Sequence, residues 1–562
     1  MSFLFRNRLL PVFALLAGAQ AWAAGPTFNV MDYGARNDAS APATEAIRAA
    51  IQAAKAAGGG TVTIPAGTYV TGPIELVSNL VLHIEAGAIV RFPAARLPYT
   101  KGRTQGIETI GPVPLIGGHD LENVSITGRG VITTDNAEWT KLMSGPTPRS
   151  DSGPGSAFGP DWNRLLELLQ QKTPQPEEEY LKVAPLLRPS FIRMTESKNL
   201  LIEGIHMIGA PFWSVHLLYS QNAVIRDVAL ETFPGAFTGG LYVDSSRDVR
   251  ISNCYLDNGD DAITLKAGKD ADGLRVNRPT EDVSITNTVV HRGSGCVVIG
   301  SETSGSIRNV VVGNVVCQGT QGGINIKSER GRGGVVENIR IDNLTMEDVG
   351  RAISVSQYYQ MQGERPAPQE PVSRRTPVFR NIAISHLTIS RARGVGEYGW
   401  NPVSISSASR NTPPTAVTIN IEGLPEMPIE GLRISDVIAV GRGGLRAHDT
   451  VGLELRNVQM NAEAGPAFLI RDSKDLELDG VSTRKPLPEN PVIRLDRCPN
   501  AVVRGSRAFS GTGTFLSAAP GELKSTVLLD NALGSAARAT EELTKDFWQP
   551  PQAATGVKQD RR

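Results

Sequence analysis

One short phrase returns along most of this chain: a polar residue with Asn, Asp or Gly, then β-formers alternating around one outward residue, then another polar corner. It reads SNLVLHI from Ser78, ENVSITG from Glu122, KNLLIEG from Lys198, QNAVIRD from Gln221, RDVRISN from Arg247, EDVSITN from Glu281, RNVVVGN from Arg308 and ENIRIDN from Glu337. It continues as RNIAISH from Arg380, EGLRISD from Glu430, VGLELRN from Val451, KDLELDG from Lys474 and PNAVVRG from Pro499. From Lys198 to Glu337 the starts lie 23, 26, 34, 27 and 29 residues apart, and from Glu430 to Pro499 they lie 21, 23 and 25 apart. Such a period means repeats that bury their apolar face only by stacking on one another. The β-branched strands exclude an ankyrin-like helical array, and the Leu-rich consensus of a leucine-rich repeat is missing. The remaining architecture is all-β, a right-handed parallel β-helix whose corner Asn residues can stack in hydrogen-bonded ladders.

The irregular intervals place the loops. The largest insertions are Asn136 to Pro189, with a helix expected at Trp162 to Gln170, and Tyr358 to Thr376; loops of that length usually wall a site or lack order. Near the start, Thr44 to Ala57 sets Ile47 and Ile51 four apart among alanines, with Thr44 as N-cap and Gly58 to Gly60 as the stop. This helix is expected to cap the open edge of the first coil. The segments are then a leader at 1–23, cap and first coils at 24–105, the β-helix proper at 106–533, and a closing segment at 534–562 expected to be a short helix with a tail.

The first residues carry Arg6 and Arg8, an apolar core from Leu9 to about Ala19, and Ala21-Trp22-Ala23 as a small-x-small cleavage site. That pattern predicts a secretory signal and a secreted or periplasmic mature protein. Lys+Arg and Asp+Glu both total 57, and the resulting zero net charge argues against a general nucleic-acid or anionic-membrane binder. The four cysteines, Cys254, Cys296, Cys317 and Cys498, have no C-x-x-C spacing and indicate neither a zinc site nor a disulfide-dense scaffold; one or two disulfides or buried thiols are both open. No metal or other cofactor is expected.

Chemistry concentrates in Asn258-Gly259-Asp260-Asp261, just ahead of the apolar strand that ends at Lys266. At a turn the backbone can project both aspartates to one side, where a strand would alternate them. A paired Asp in a turn is ordinarily solvated surface, but two adjacent carboxylates can also divide acid and base work. His216 and Trp213, in an apolar phrase, are expected to pack the core or the floor of a cleft.

The wider context resembles glycoside hydrolase family 28, the polygalacturonase family, in its bacterial form. The resemblance is carried by NCYLDNGDDAITLKAG from Asn253, HRGSGCVVIGSETSG from His291 and GGINIKSERGRGG from Gly322. Upstream it extends through LLRPSFIRMTESKNLLIEGIHMIGAPFWSVHLLYSQN from Leu186 and, more loosely, to DYGAR at Asp32 and GGGTVTIPAGTYVTGPI at Gly58. It implies the same β-helix, and hydrolysis of pectic glycosidic bonds with inversion, in which one carboxyl protonates the leaving oxygen and another activates water. By motif, Asp260 is the general acid and Asp261 the base that orients water; Lys327, Asn325, Ser294, Tyr242 and Arg330 are the substrate-binding candidates, and the protein is expected to act as a monomer on a plant-type polysaccharide or oligosaccharide.

Three positions depart from the family pattern. Gly239 stands where a third Asp is expected, Ser294 where a His is expected, and Asn325 where the Arg of an Arg-x-Lys phrase is expected, leaving Lys327 alone. Losing a permanently charged planar fork at Asn325 shifts the expected sugar away from plain polygalacturonate, toward rhamnose, a decorated galacturonate or a neutral sugar. Tyr242 or Asp244 would then fill the vacant base position, Arg330 and Arg332 would hold an acidic sugar, and Glu302 would brace Lys327 or Arg330. A catalytically weakened saccharide-binding β-helix and a polysaccharide lyase on the same scaffold are the alternatives.

Overall fold

The computed structural model describes residues 25–144, 167–168, 175–235, 237–359, 368–393 and 417–542. Among the described residues thirty-seven strands join in one parallel sheet wound as a right-handed β-helix, and an antiparallel hairpin, Tyr99–Thr104 with Ile107–Pro112, forms a separate two-stranded sheet. All the recurring phrases fall on one ladder of that sheet. In register, Leu82 pairs with Ile126, Ile126 with Ile202, Ile202 with Ile225 and Ile225 with Ile251, and the same column runs on to Val503. The column is fully buried, and each such aliphatic side chain contributes roughly 1.5–3 kcal/mol over an exposed one. Period-2 alternation therefore becomes a continuous core only because every coil repeats it.

The corner Asn residues explain how the chain turns between faces. Asn79, Asn123, Asn199 and Asn222 all have left-handed backbone, φ 60°, 59°, 57° and 53°. Among non-glycine residues Asn tolerates that region best, because its short amide can bond locally. Here the amides of Asn123, Asn199 and Asn222 also donate to the Asn of the preceding coil, at 2.8, 2.9 and 2.8 Å.

A second helical element and several ends differ from expectation. The helix Thr44–Ala56 forms and buries Ile47 and Ile51, but Ala43 is its N-cap. Thr44 instead accepts the Gly72 N–H at 2.8 Å, because the strand end beside it needs an acceptor more than the helix does. The expected helix at Trp162 to Gln170 lies outside the described residues except for Glu167 and Leu168, while the same insertion contributes helices Asn136–Ser144 and Glu177–Val183. At the other end Arg538–Glu542 is a strand paired with Thr514–Ala518, because the last coil offers an open row of backbone groups, and the remainder of the segment in which a closing helix is expected lies outside the described residues. The leader at 1–23 and the tail beyond Glu542 lie outside the described residues. Cys296 and Cys317 form a disulfide, and Cys254 and Cys498 are buried free thiols.

The ladder that matters for chemistry is another one. It places Arg193, His216, Tyr242, Thr264, Val298, Asn325 and Ser354 in one register column, one residue per coil. Alternate residues of these strands, such as Ile192 and Met194, fill the core, so this column faces outward. The hairpin stands over its N-terminal part.

Candidate active site

Asp260 and Asp261 occupy the turn that enters strand Ile263–Lys266. Gly259 makes the turn possible: a Cβ there would lie 1.7 Å from the Gly235 carbonyl, so the preceding coil approaches too closely for any side chain. The backbone is then pinned from both neighbouring coils, with Gly240 N–H donating to the Asp261 carbonyl at 3.0 Å and Ser294 N–H donating to the Asp260 carbonyl at 3.0 Å. Both aspartates are fixed by main-chain bonds to the coils above and below.

Their side chains have different surroundings. Asp261 is 8% exposed and accepts from the Lys327 ammonium at 3.2 Å, a lysine that arrives from strand Thr320–Lys327 two coils later. Burial opposes the charge on Lys327, but Asp261, Tyr359 and Asp260 outweigh it and raise its pKa. Asp260 is half-buried, and its Oδ1 accepts the Asp261 N–H at 2.8 Å. Burial first, and the neighbouring Asp261 carboxylate second, push Asp260 up to about 6 against the pull of Lys327. Two adjacent carboxyls are thereby separated into one held by a cation and one that keeps its proton into the mildly acidic range.

The other expected residues divide. Asn325 and Ser294 lie half-exposed beside the pair, on the outward column and in the following coil respectively. Tyr242 is 2% exposed, its ring stacked on Trp213 at 4.1 Å and 9°. The structure gives it a packing place under the acids rather than the substrate contact expected from its position. Burial, reinforced by Asp260 and Asp261, also holds its phenol well above the usual range, which rules it out as the replacement base. Asp244 does not fill that vacancy either. Fully buried, it accepts from Arg103 at 2.7 Å and lies 3.4 Å from His216 Nε2; burial raises its pKa, but Arg103 and His216 outweigh that and bring it to about 2.

Arg330 is committed to Glu426, with Nη2 to Oε2 at 3.0 Å, and packs against Tyr358, so a resident carboxylate takes the place of the expected acidic sugar. Arg332 is fully buried between Glu329 and Asp270. Glu302 braces neither Lys327 nor Arg330. It pairs with Lys266, whose ammonium sits 5.7 Å from the Tyr242 ring centre and 5.8 Å from that of Trp213. Lys266 was missed because a lysine at a strand end is ordinarily solvated; its place at the end of the strand that the acidic turn opens is the signal that it faces the site.

Gly239 has a steric explanation. A Cβ there would fall 2.2 Å from the Tyr242 phenol oxygen and 2.4 Å from its ring. The ring cannot swing aside without leaving the Trp213 stack, so the missing third carboxylate and the presence of Tyr242 are one feature. Gly239→Asp is accordingly expected to lose about 1–3 kcal/mol from overpacking and not to raise activity. Thermal melts with reducing-end assays check this, and an unchanged melting temperature would show that the ring is not the obstacle.

Known proteins resemble this chain in sequence and in fold. Residues 184–415 match the model of Glycosyl hydrolases family 28, and residues 27–86 match that of Rhamnogalacturonase A/epimerase, pectate lyase-like. A Vitis vinifera protein described as a probable polygalacturonase is 25% identical over 451 residues, 73% of this chain and 84% of its own length. The exo-poly-alpha-D-galacturonosidase of Dickeya chrysanthemi is 25% identical over 58% of this chain, which spans only 55% of that protein. Among solved structures, the hyperthermoactive exopolygalacturonase of Thermotoga maritima superposes with a TM-score of 0.63 at 28% identity, covering 77% of this chain and 91% of that one.

Proposed function

We propose that the chain is a member of glycoside hydrolase family 28, a glycosidase that hydrolyses pectic polysaccharide or oligosaccharide by an inverting acid/base mechanism. Asp260 protonates the leaving glycosidic oxygen. Asp261, oriented by Lys327, positions the attacking water. The observation that carries this reading is the divergence of two adjacent aspartates, one ion-paired at 3.2 Å and the other raised to about 6. An acid poised there can donate a proton at mildly acidic pH without the third carboxylate. We further propose that the protein is exported through its N-terminal signal and acts as a monomer.

A second reading, a saccharide-binding β-helix of weakened activity, is favoured by the Tyr242 ring closing the place of the third Asp at Gly239. One panel separates the two. Polygalacturonate, methyl-esterified pectin and rhamnogalacturonan are assayed for reducing-end release and for the absorbance of an unsaturated product. Release without new absorbance is the expected result; binding without release establishes the second reading, and new absorbance establishes a lyase.

A further inference from the structure

Where the hairpin leans on the outward face it encloses a narrow cavity whose lining includes Arg103, Arg188, Arg193, Ser190, Phe212 and Trp213. Three arginines and no carboxylate line it. The space, about 10 Å³, admits one small group such as a water or a carboxylate oxygen rather than a whole sugar ring.

Arg193 is the unusual member. It is 8% exposed, yet among the described residues it has no hydrogen bond and no ion pair. The two other arginines that are less than a tenth exposed among the described residues are paired, Arg103 with Asp244 and Arg332 with Glu329 and Asp270. An unpaired buried cation is costly, and burial alone lowers Arg193 to about 10. Its position is also fixed: it projects from strand Ile192–Thr195, and a Cβ on Gly102 of the hairpin would stand 2.9 Å from its Nη1. The fork is held against the hairpin with its donors on the cavity. Arg188 lines the same space and is close enough to Asp260 to feel its charge.

We propose that Arg193, with Arg188 beside it, is the anchor for the carboxylate of a uronic acid unit of the substrate. A guanidinium donates charge-assisted hydrogen bonds to a carboxylate oxygen that reaches into the cavity, and the enclosed site strengthens them. The Ser190 hydroxyl, also on the lining, supplies a further donor. In register Arg193 precedes Thr264, the member of its column on the strand that the acidic turn enters, by three coils, roughly 14 Å at ~4.8 Å per coil. The unit it grips is thus displaced from the cleaved bond toward the N-terminal end of the face. This places acid recognition on the opposite side of the aspartates from Asn325 and Arg330. The inference rests on the reading of this face as a pectic saccharide cleft.

Equilibrium binding tests it independently of turnover. The full-length Asp260→Asn protein is titrated with trigalacturonate and with the same trisaccharide whose carboxyls have been reduced to alcohols. Trigalacturonate is expected to bind at least tenfold more tightly. Adding Arg193→Gln is expected to remove that preference while leaving the neutral sugar unaffected, with a thermal melt to verify folding. Arg193→Lys, which keeps charge but not the fork, should lose part of the preference; should the Gln variant fail to fold, undiminished trigalacturonate affinity in the Lys variant overturns the proposal. Equal affinity for the two sugars in the Asp260→Asn protein, or a preference that survives Arg193→Gln, also overturns it. Failure of the wild type to release reducing ends would count against the hydrolase reading alone, since the binding comparison does not depend on it.

Discussion

Asp260→Asn is expected to lower turnover by about 10²–10⁴-fold and, at pH 7, to make the protein more stable. The two effects share one cause. Half-buried and next to Asp261, the Asp260 carboxyl is held up to about 6, above the usual 3.8. A raised pKa means the folded state binds the proton more tightly than the unfolded chain, so the stability it contributes is complete below about pH 3.8 and is lost as pH rises through about 6. At neutral pH the wild type carries a desolvated charge that asparagine does not have, while the amide oxygen can still accept the Asp261 N–H at 2.8 Å. The gain at pH 7 should be on the order of 2 kcal/mol and should vanish near pH 4. The turnover of the wild type should itself decline above pH 6, as the acid form is depleted. Denaturation curves at pH 4 and 7, with reducing-end release across the same range, check both halves. A variant that keeps turnover removes Asp260 from the role of acid; one that loses turnover without gaining stability would mean that Asp260 is not the desolvated group.

Arg103→Met should destabilise the fold by about 3–5 kcal/mol, the largest single loss expected outside the core. Both members of the Arg103–Asp244 pair are fully excluded from solvent, and removing the cation leaves a buried carboxylate with His216 and the Ser245 hydroxyl near it but no permanent cation. Asp244, depressed to about 2 in the wild type, contributes stability that is present above about pH 4 and lost as pH falls through 2. Without Arg103 the sign reverses: the carboxyl's pKa rises, and the variant should gain stability on acidification from pH 7 to pH 5. Arg103 also ties the hairpin to the β-helix, alongside the Glu108–Arg275 pair and the Tyr219 hydroxyl that donates to Glu108 at 2.8 Å. Activity should therefore fall with the loosening of that wall. Replacing both partners, Arg103→Met with Asp244→Leu, should recover most of the stability, since no charge is then left unpaired. A single variant that loses less than about 1 kcal/mol would mean that water reaches Asp244 once the arginine is gone.

These effects mark where the sequence is informative and where it is not. The coil, its corners and the address of the acidic turn were legible from residues alone, because each is a local property. Alternation with period 2 decides which side chains face inward, Asn tolerates the left-handed backbone that a corner needs, and Gly259 ahead of two aspartates marks a turn that neighbouring coils can clasp. The partners of the charged groups were not legible. Asp244 meets Arg103 across 141 residues, Lys327 meets Asp261 across 66, and Glu302 takes Lys266 rather than the lysine expected for it. Coil lengths vary and insertions interrupt them, so spacing along the chain does not fix which side chains share a rung. The pKa of Asp260, the Tyr242 ring over Gly239 and the unpaired fork of Arg193 depend on how much water the stacked coils and the hairpin exclude. Burial of that kind belongs to the assembled surface, and so it was the tertiary structure that decided the chemistry of a site whose position the sequence had already marked.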